Sequence, residues 1–172
     1  MKPMKTDPTT PQCANDARGI RVGIVSSQYH GEICAALTRG ATDAFVAARG
    51  DADSIVHAPA PGAFELVAVG LALAERPDID AVVAIGCVLT GETSHDRYLC
   101  DAVSHGLTEI SLRTGKPVAF GVLTCTTIEQ ARARAGGSKG NKGIEAMHAA
   151  IAATRAIQEI RAASTASIGG NR

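Results

Sequence analysis

Apolar positions along this chain change period repeatedly, and each change marks a boundary between a strand and a helix. The run Gly19 to Ser26 (GIRVGIVS) predicts a first strand. The period then turns helical through Ile33, Leu37, Ala41, Ala44 and Phe45, stopping near Gly50. Asp53 to His57 predicts a short second strand, followed by a turn at Ala58-Pro59-Ala60-Pro61-Gly62. Ala63 to Glu75 predicts an apolar helix halted by Pro77. Asp80 to Leu89 is the third strand. Its core, Ala81 to Leu89, is continuously apolar but for one glycine, as in a strand buried on both faces of a parallel sheet. A long helix is expected from Thr93 to Thr114, with Leu99, Val103, Leu107 and Ile110 on one side. Gly115-Lys116-Pro117 is a turn, and Val118 to Thr124 a fourth strand. Thr126 is expected to cap a short helix, Thr127 to Ala135, with Glu129 at capping-box spacing. The basic, glycine-rich stretch Gly136 to Gly143 reads as a loop, and a last helix runs from about Ile144 to Ala162.

Strands alternating with helices imply one parallel sheet covered on both faces, a three-layer α/β/α domain over residues 19–163. Residues 1–18, polar and holding three prolines, read as a flexible arm that could add to a neighbouring subunit's sheet. Residues 164–172 read as a loose tail. Ligands gather at the carboxyl ends of such strands. Four segments should therefore meet: the Tyr29-His30 loop, the Pro61 to Glu65 turn, the Gly91 to His95 turn and the segment after Val122.

Composition narrows the class. Apolar residues make up 45% of the 172 but aromatics only 3%, so the expected core is Ala, Val, Ile and Leu. Seventeen basic and seventeen acidic residues cancel, which gives no basic block for nucleic acid or a membrane surface. Without a spanning-length apolar run or an apolar leader, the chain reads as a soluble cytoplasmic protein. Five cysteines without C-x-x-C spacing argue against a disulfide framework and a zinc site, so no metal is expected.

Candidate chemistry collects around Gly91-Glu92-Thr93, where a strand hands over to a helix and its unpaired N–H groups attract anions. Thr93 serves equally as a plain helix cap. His95, in the first helical turn, can move a proton near neutral pH. Arg134 could clamp a phosphate through its planar fork, or simply favour the end of its helix. Tyr29 could stack on a heterocycle, or shield the core. Glu65, opening a helix after Ala63 and Phe64, and Glu145, after the basic loop, could bind ligand groups or complement helix dipoles. Cys87 is expected to lie buried in its strand.

Together these pieces resemble the lumazine synthase family. The carriers are PGAFE (Pro61 to Glu65), G-x-V-x-x-G-x-T-x-H (Gly86 to His95) continuing to Tyr98 and Cys100, FGVLT (Phe120 to Thr124), and RAG…GNKG (Arg134 to Gly143). The resemblance implies a flavodoxin-like, four-stranded parallel sheet and a cofactor-free condensation. In it a ribitylamino-pyrimidinedione joins 3,4-dihydroxy-2-butanone 4-phosphate, giving 6,7-dimethyl-8-ribityllumazine, phosphate and water. It also implies roles. Tyr29 stacks on the pyrimidine, while Ala63, Phe64 and Glu65 form the ribityl side. Cys87, Val88 and Leu89 line the pyrimidine pocket with backbone. Glu92 and Thr93 hold phosphate with Arg134, and His95 transfers protons with Glu145 as an acidic neighbour. Phe120 is a wall from the adjacent subunit, in a pentamer or a shell of pentamers.

Two residues depart from the family pattern. Thr90 stands where arginine is usual, and Arg97 where an acid usually follows the histidine. That arginine either bears on His95 or points outward. A non-catalytic paralogue that binds flavin or lumazine, or serves as an assembly scaffold, is the alternative to the enzyme. A flavodoxin-like signalling domain would call for acidic residues at the strand ends, where Ser26-Ser27 stand.

Overall fold

The computed structural model describes residues 16–169. Its centre is a parallel sheet of β1 (Val22–Ser27), β2 (Ile55–Ala60), β3 (Ala81–Leu89) and β4 (Val118–Cys125), in the order β2-β1-β3-β4. Val22 pairs with Ile55 on one side and Ala81 on the other. Every residue of β3 from Ala81 to Val88 is buried, because both of its faces are covered. Val83 and Ile85 join the cluster built by α1 (Gly31–Ala47) and α5 (Lys142–Gly169), with Leu37, Phe45, Met147 and Ile151. Val82 and Ala84 join the opposite cluster, from α2 (Leu66–Glu75) and α3 (His95–Thr114), with Leu66, Leu73, Leu107 and Ile110. The flavodoxin-like three-layer reading holds.

Several boundaries differ from expectation, each for a local reason. β2 continues through Pro59 to Ala60, where a turn was expected. It pairs with β1 alone, and a proline without an N–H is tolerated on such an edge. Asp53 and Ser54, expected to open that strand, lie in a 3₁₀ turn (Ala52–Ser54) capped by Asp51, whose carboxylate accepts from Asp53 N at 3.1 Å. α2 starts at Leu66 rather than Ala63, since Leu66 and Val67 bond back three residues, to the Ala63 and Phe64 carbonyls. α3 starts at His95 rather than Thr93, and its N-cap Ser94 makes no side-chain cap bond. The short helix α4 (Ile128–Arg134) is capped by Thr127, not Thr126. Thr127 Oγ1 accepts from Gln130 N at 3.4 Å, and Gln130 Oε1 accepts from Thr126 N at 3.1 Å.

The expected glycine-rich loop is a small antiparallel hairpin, β5 (Ala135–Gly137) with β6 (Gly140–Asn141). Asn141 then starts α5, accepting from Gly143 N at 2.8 Å, and its amide donates to the Ala36 carbonyl of α1 at 3.0 Å. Gly143 itself lies against the Leu37 carbonyl, where a Cβ has no room. α5 continues to Gly169, past the point where a loose tail was expected. Residues 1–15 of the expected arm, and any pairing they make with a neighbour's sheet, lie outside the described residues. Asp16 to Arg18 are anchored rather than loose: Ala17 is buried, and Arg155 Nε donates to the Asp16 carbonyl at 2.8 Å.

Candidate functional site

The sheet reverses its strand order between β1 and β3, so the loops leaving these two strands diverge toward opposite faces and open a crevice. A cleft of about 500 Å³ occupies it. Tyr29 and His30 enter from the loop after β1, and Gly62 to Glu65 from the turn before α2. β3 contributes Cys87, Val88 and Leu89 at its end, continuing into Thr90, Gly91 and Thr93. His95, Asp96 and Leu99 come from the opening of α3.

Of the residues expected from the sequence, Tyr29, Ala63, Phe64, Glu65, Cys87, Val88, Leu89, Thr93 and His95 thus share one cleft. Glu92 is exposed on the same turn but is not part of its wall. Phe120, Arg134 and Glu145 lie elsewhere on the chain. Phe120 sits mid-strand on the edge strand β4, 39% exposed. Arg134 ends α4, its Nη1 donating to the Gln130 carbonyl at 3.3 Å. Glu145 accepts from Lys142 Nζ at 2.7 Å. The fourth expected segment, after Val122, also stays out of the cleft. Its end is tied back to β3, Thr90 N donating to the Cys125 carbonyl at 2.9 Å.

The floor is apolar and the rim polar, as in pockets that bury a flat ligand and orient it with a few groups. Cys87 lines the floor, but its side chain belongs to the core cluster on the α1–α5 face. Burial pushes its thiol up to about 12, with Cys34 and Cys125 adding to the shift. Burial likewise raises Cys34, to about 11. These thiols stay protonated, so what Cys87 offers a ligand is backbone. Tyr29 and Phe64 flank the opening, 67% and 61% exposed. Phe45 is the one aromatic side chain in the core clusters, and the chain's other four rings are at the surface. Among the described residues no group of three or more His, Cys, Asp or Glu could hold a metal ion.

A family model, 6,7-dimethyl-8-ribityllumazine synthase, matches residues 19–158. The chain belongs to the lumazine synthase family. Among curated relatives, the 6,7-dimethyl-8-ribityllumazine synthase of Kocuria rhizophila is 47% identical over 129 residues, which cover 75% of this chain and 80% of the relative. Those of Thermus thermophilus and Aquifex aeolicus are 43% and 42% identical over 125 residues, covering 73% of this chain and 80% and 81% of the relatives.

Membership in the family makes the two unusual positions of this chain informative. Thr90 lines the cleft, whereas Arg97 is exposed and outside it. Asp96, absent from the expected set, lines the cleft beside His95. Leu99 could have been found as the residue one helical turn beyond His95. His30, expected there as part of the Tyr29-His30 loop, also lines the cleft.

Proposed function

We propose that this chain is a transferase that condenses 5-amino-6-(D-ribitylamino)uracil with 3,4-dihydroxy-2-butanone 4-phosphate. The products are 6,7-dimethyl-8-ribityllumazine, phosphate and water, the penultimate step of riboflavin biosynthesis. The observation that carries this reading is the convergence of Tyr29, Phe64, Glu65, Thr93 and His95 on one cleft in a chain of this family. The pyrimidine lies against the Tyr29 ring and the backbone of Cys87 to Leu89, and Glu65 takes ribityl hydroxyls. The phosphate lies at the uncapped start of α3, beside Glu92 and Thr93, where N–H groups favour an anion. The substrate amine attacks the ketone and the carbinolamine loses water to an imine. Phosphate then leaves, and the second amine closes the ring with loss of water. His95 relays protons through these steps. Holding two reactants in register supplies part of the ~7–11 kcal/mol that orientation can contribute, and one proton-transfer group adds about 10²–10⁴-fold.

A second copy of the chain completes the site, bringing Phe120, Arg134 and Glu145 to a cleft that they do not reach within one chain. The assembly is a pentamer or a shell of pentamers. Free thiols at Cys34, Cys87, Cys100 and Cys125 suit a reducing cytoplasm. Incubating the purified chain with both substrates should produce lumazine absorbance and phosphate in equal amounts. Tight riboflavin binding without product would instead support the non-catalytic paralogue.

A further inference from the structure

We propose that His30 is a positioning residue: its imidazole sets the orientation of the Tyr29 ring, and with it the slot for the flat substrate. The inference rests on the reading of the cleft as the pyrimidine site. The two rings meet edge to face, with centroids 4.7 Å apart and planes at 73°. The backbone that allows this is unusual. His30 has φ 53° and ψ 49°, in the left-handed region, which few residues other than glycine enter. Among the described residues Arg49 is the other non-glycine with positive φ, and it follows the end of α1. Helix capping does not account for the residue, because His30 stands at the N-cap of α1 without a side-chain cap bond.

What the conformation achieves is visible at Tyr29. Its main chain is held on both sides: Tyr29 N donates to Ser27 Oγ at 3.1 Å, and the Tyr29 carbonyl accepts from Cys34 Sγ at 3.3 Å. Its ring is 67% exposed, and among the described residues His30 is the one ring that packs on it. Rotation of the side chain is therefore the freedom left to Tyr29, and the imidazole edge limits it. His30 is also a partition. It walls the main cleft and a separate cavity of about 200 Å³ formed with Ile128 and Arg132 of α4. The role needs a flat ring at this place and not a titrating nitrogen.

One full-chain variant separates the ring from the backbone, since asparagine accepts left-handed φ but lacks the ring. His30→Asn should raise KM for the pyrimidine substrate about two- to tenfold, the range an edge-to-face pair carries. KM for the sugar phosphate and kcat should change far less. Unchanged KM in His30→Asn, or equal losses for both substrates, would overturn the proposal. A second arm needs no turnover. The chain has two tyrosines and no tryptophan, so Tyr98→Phe leaves Tyr29 as the reporting fluorophore. Its emission anisotropy should be lower with His30→Asn than with His30 retained, and equal anisotropy in the two would overturn the proposal. If the wild-type chain makes no lumazine, the functional reading fails and this arm still decides the inference.

Discussion

The Cys87 thiol sits at the edge of the chemistry and is poorly suited to take part in it. With the folded thiol pushed up to about 12 from an ordinary value of 9.0, the neutral form is favoured by folding. The sign follows from proton binding. Below the ordinary value both states hold the proton, and this stabilisation is complete. It is lost as pH rises from about 9 toward about 12, because the unfolded chain releases the proton first. Urea midpoints at about pH 8 and about pH 10.5 should therefore differ less in Cys87→Ala than in the wild type. Arg134 poses the opposite case, an exposed cation whose Nη1 donates to the Gln130 carbonyl at 3.3 Å and which makes no ion pair among the described residues. Arg134→Ala should raise KM for the phosphate substrate by about tenfold or more, as expected for a charge-assisted hydrogen bond, and leave the pyrimidine KM nearly unchanged. Equal losses on both substrates would remove Arg134 from the phosphate site.

Elements differ in how far their pattern announces them. β3 is a long continuous apolar run and α3 a long helical-period one, so their sequence predicts them within two residues. The Tyr29, Glu65 and His95 segments converge because topology alone sends them to the same sheet end. Local chemistry was harder to read. Pro59 signals a turn, yet on an open edge it costs no ladder bond. Two adjacent threonines offer equivalent caps, and Gln130 rather than Glu129 selects Thr127. The Gly136 to Gly143 stretch reads as loop because its hairpin is short and its support, the Asn141 bond to Ala36, is remote in sequence. Phe120 was expected as a wall from an adjacent subunit and does stay out of the cleft of one chain, whereas the distance of Arg134 and Glu145 from it was not legible, since a motif gives chain order and not position in space. The close approach at Gly143 gives a further prediction. Gly143→Ala forces a methyl into the Leu37 carbonyl, and backbone cannot yield as a side chain can. The variant should lose about 3 kcal/mol or more of unfolding free energy in urea titrations. A change under about 0.5 kcal/mol would mean that the α1–α5 approach is soft.

Across the whole molecule, the distribution of rings is the main clue to assembly. Tyr29, Phe64, Tyr98 and Phe120 stand at the surface, with Leu112 and Ile160 also exposed. Tyr29 and Phe64 belong to the cleft, and the exposed Tyr98, Phe120, Leu112 and Ile160 are apolar surface that the proposed assembly would cover. Light scattering should give a mass five times the 17.6 kDa chain, or a multiple of that. A monomer with full turnover would overturn the shared site.

The clasp between Asn141 and Ala36 also bears on how the protein is made. The two residues are 105 apart in sequence, and Arg155 reaches back to Asp16 across 139. A ribosome adding about 5–20 residues per second leaves α1 without its closing partner for roughly 5–20 s after α1 has emerged. During that interval the apolar face of α1, with Ile33, Leu37 and Phe45, has no α5 to cover it. The amino-terminal half of this chain thus carries uncovered apolar surface until the last helix is synthesised, and nascent chains arrested before Asn141 should be cut readily within α1 by added protease.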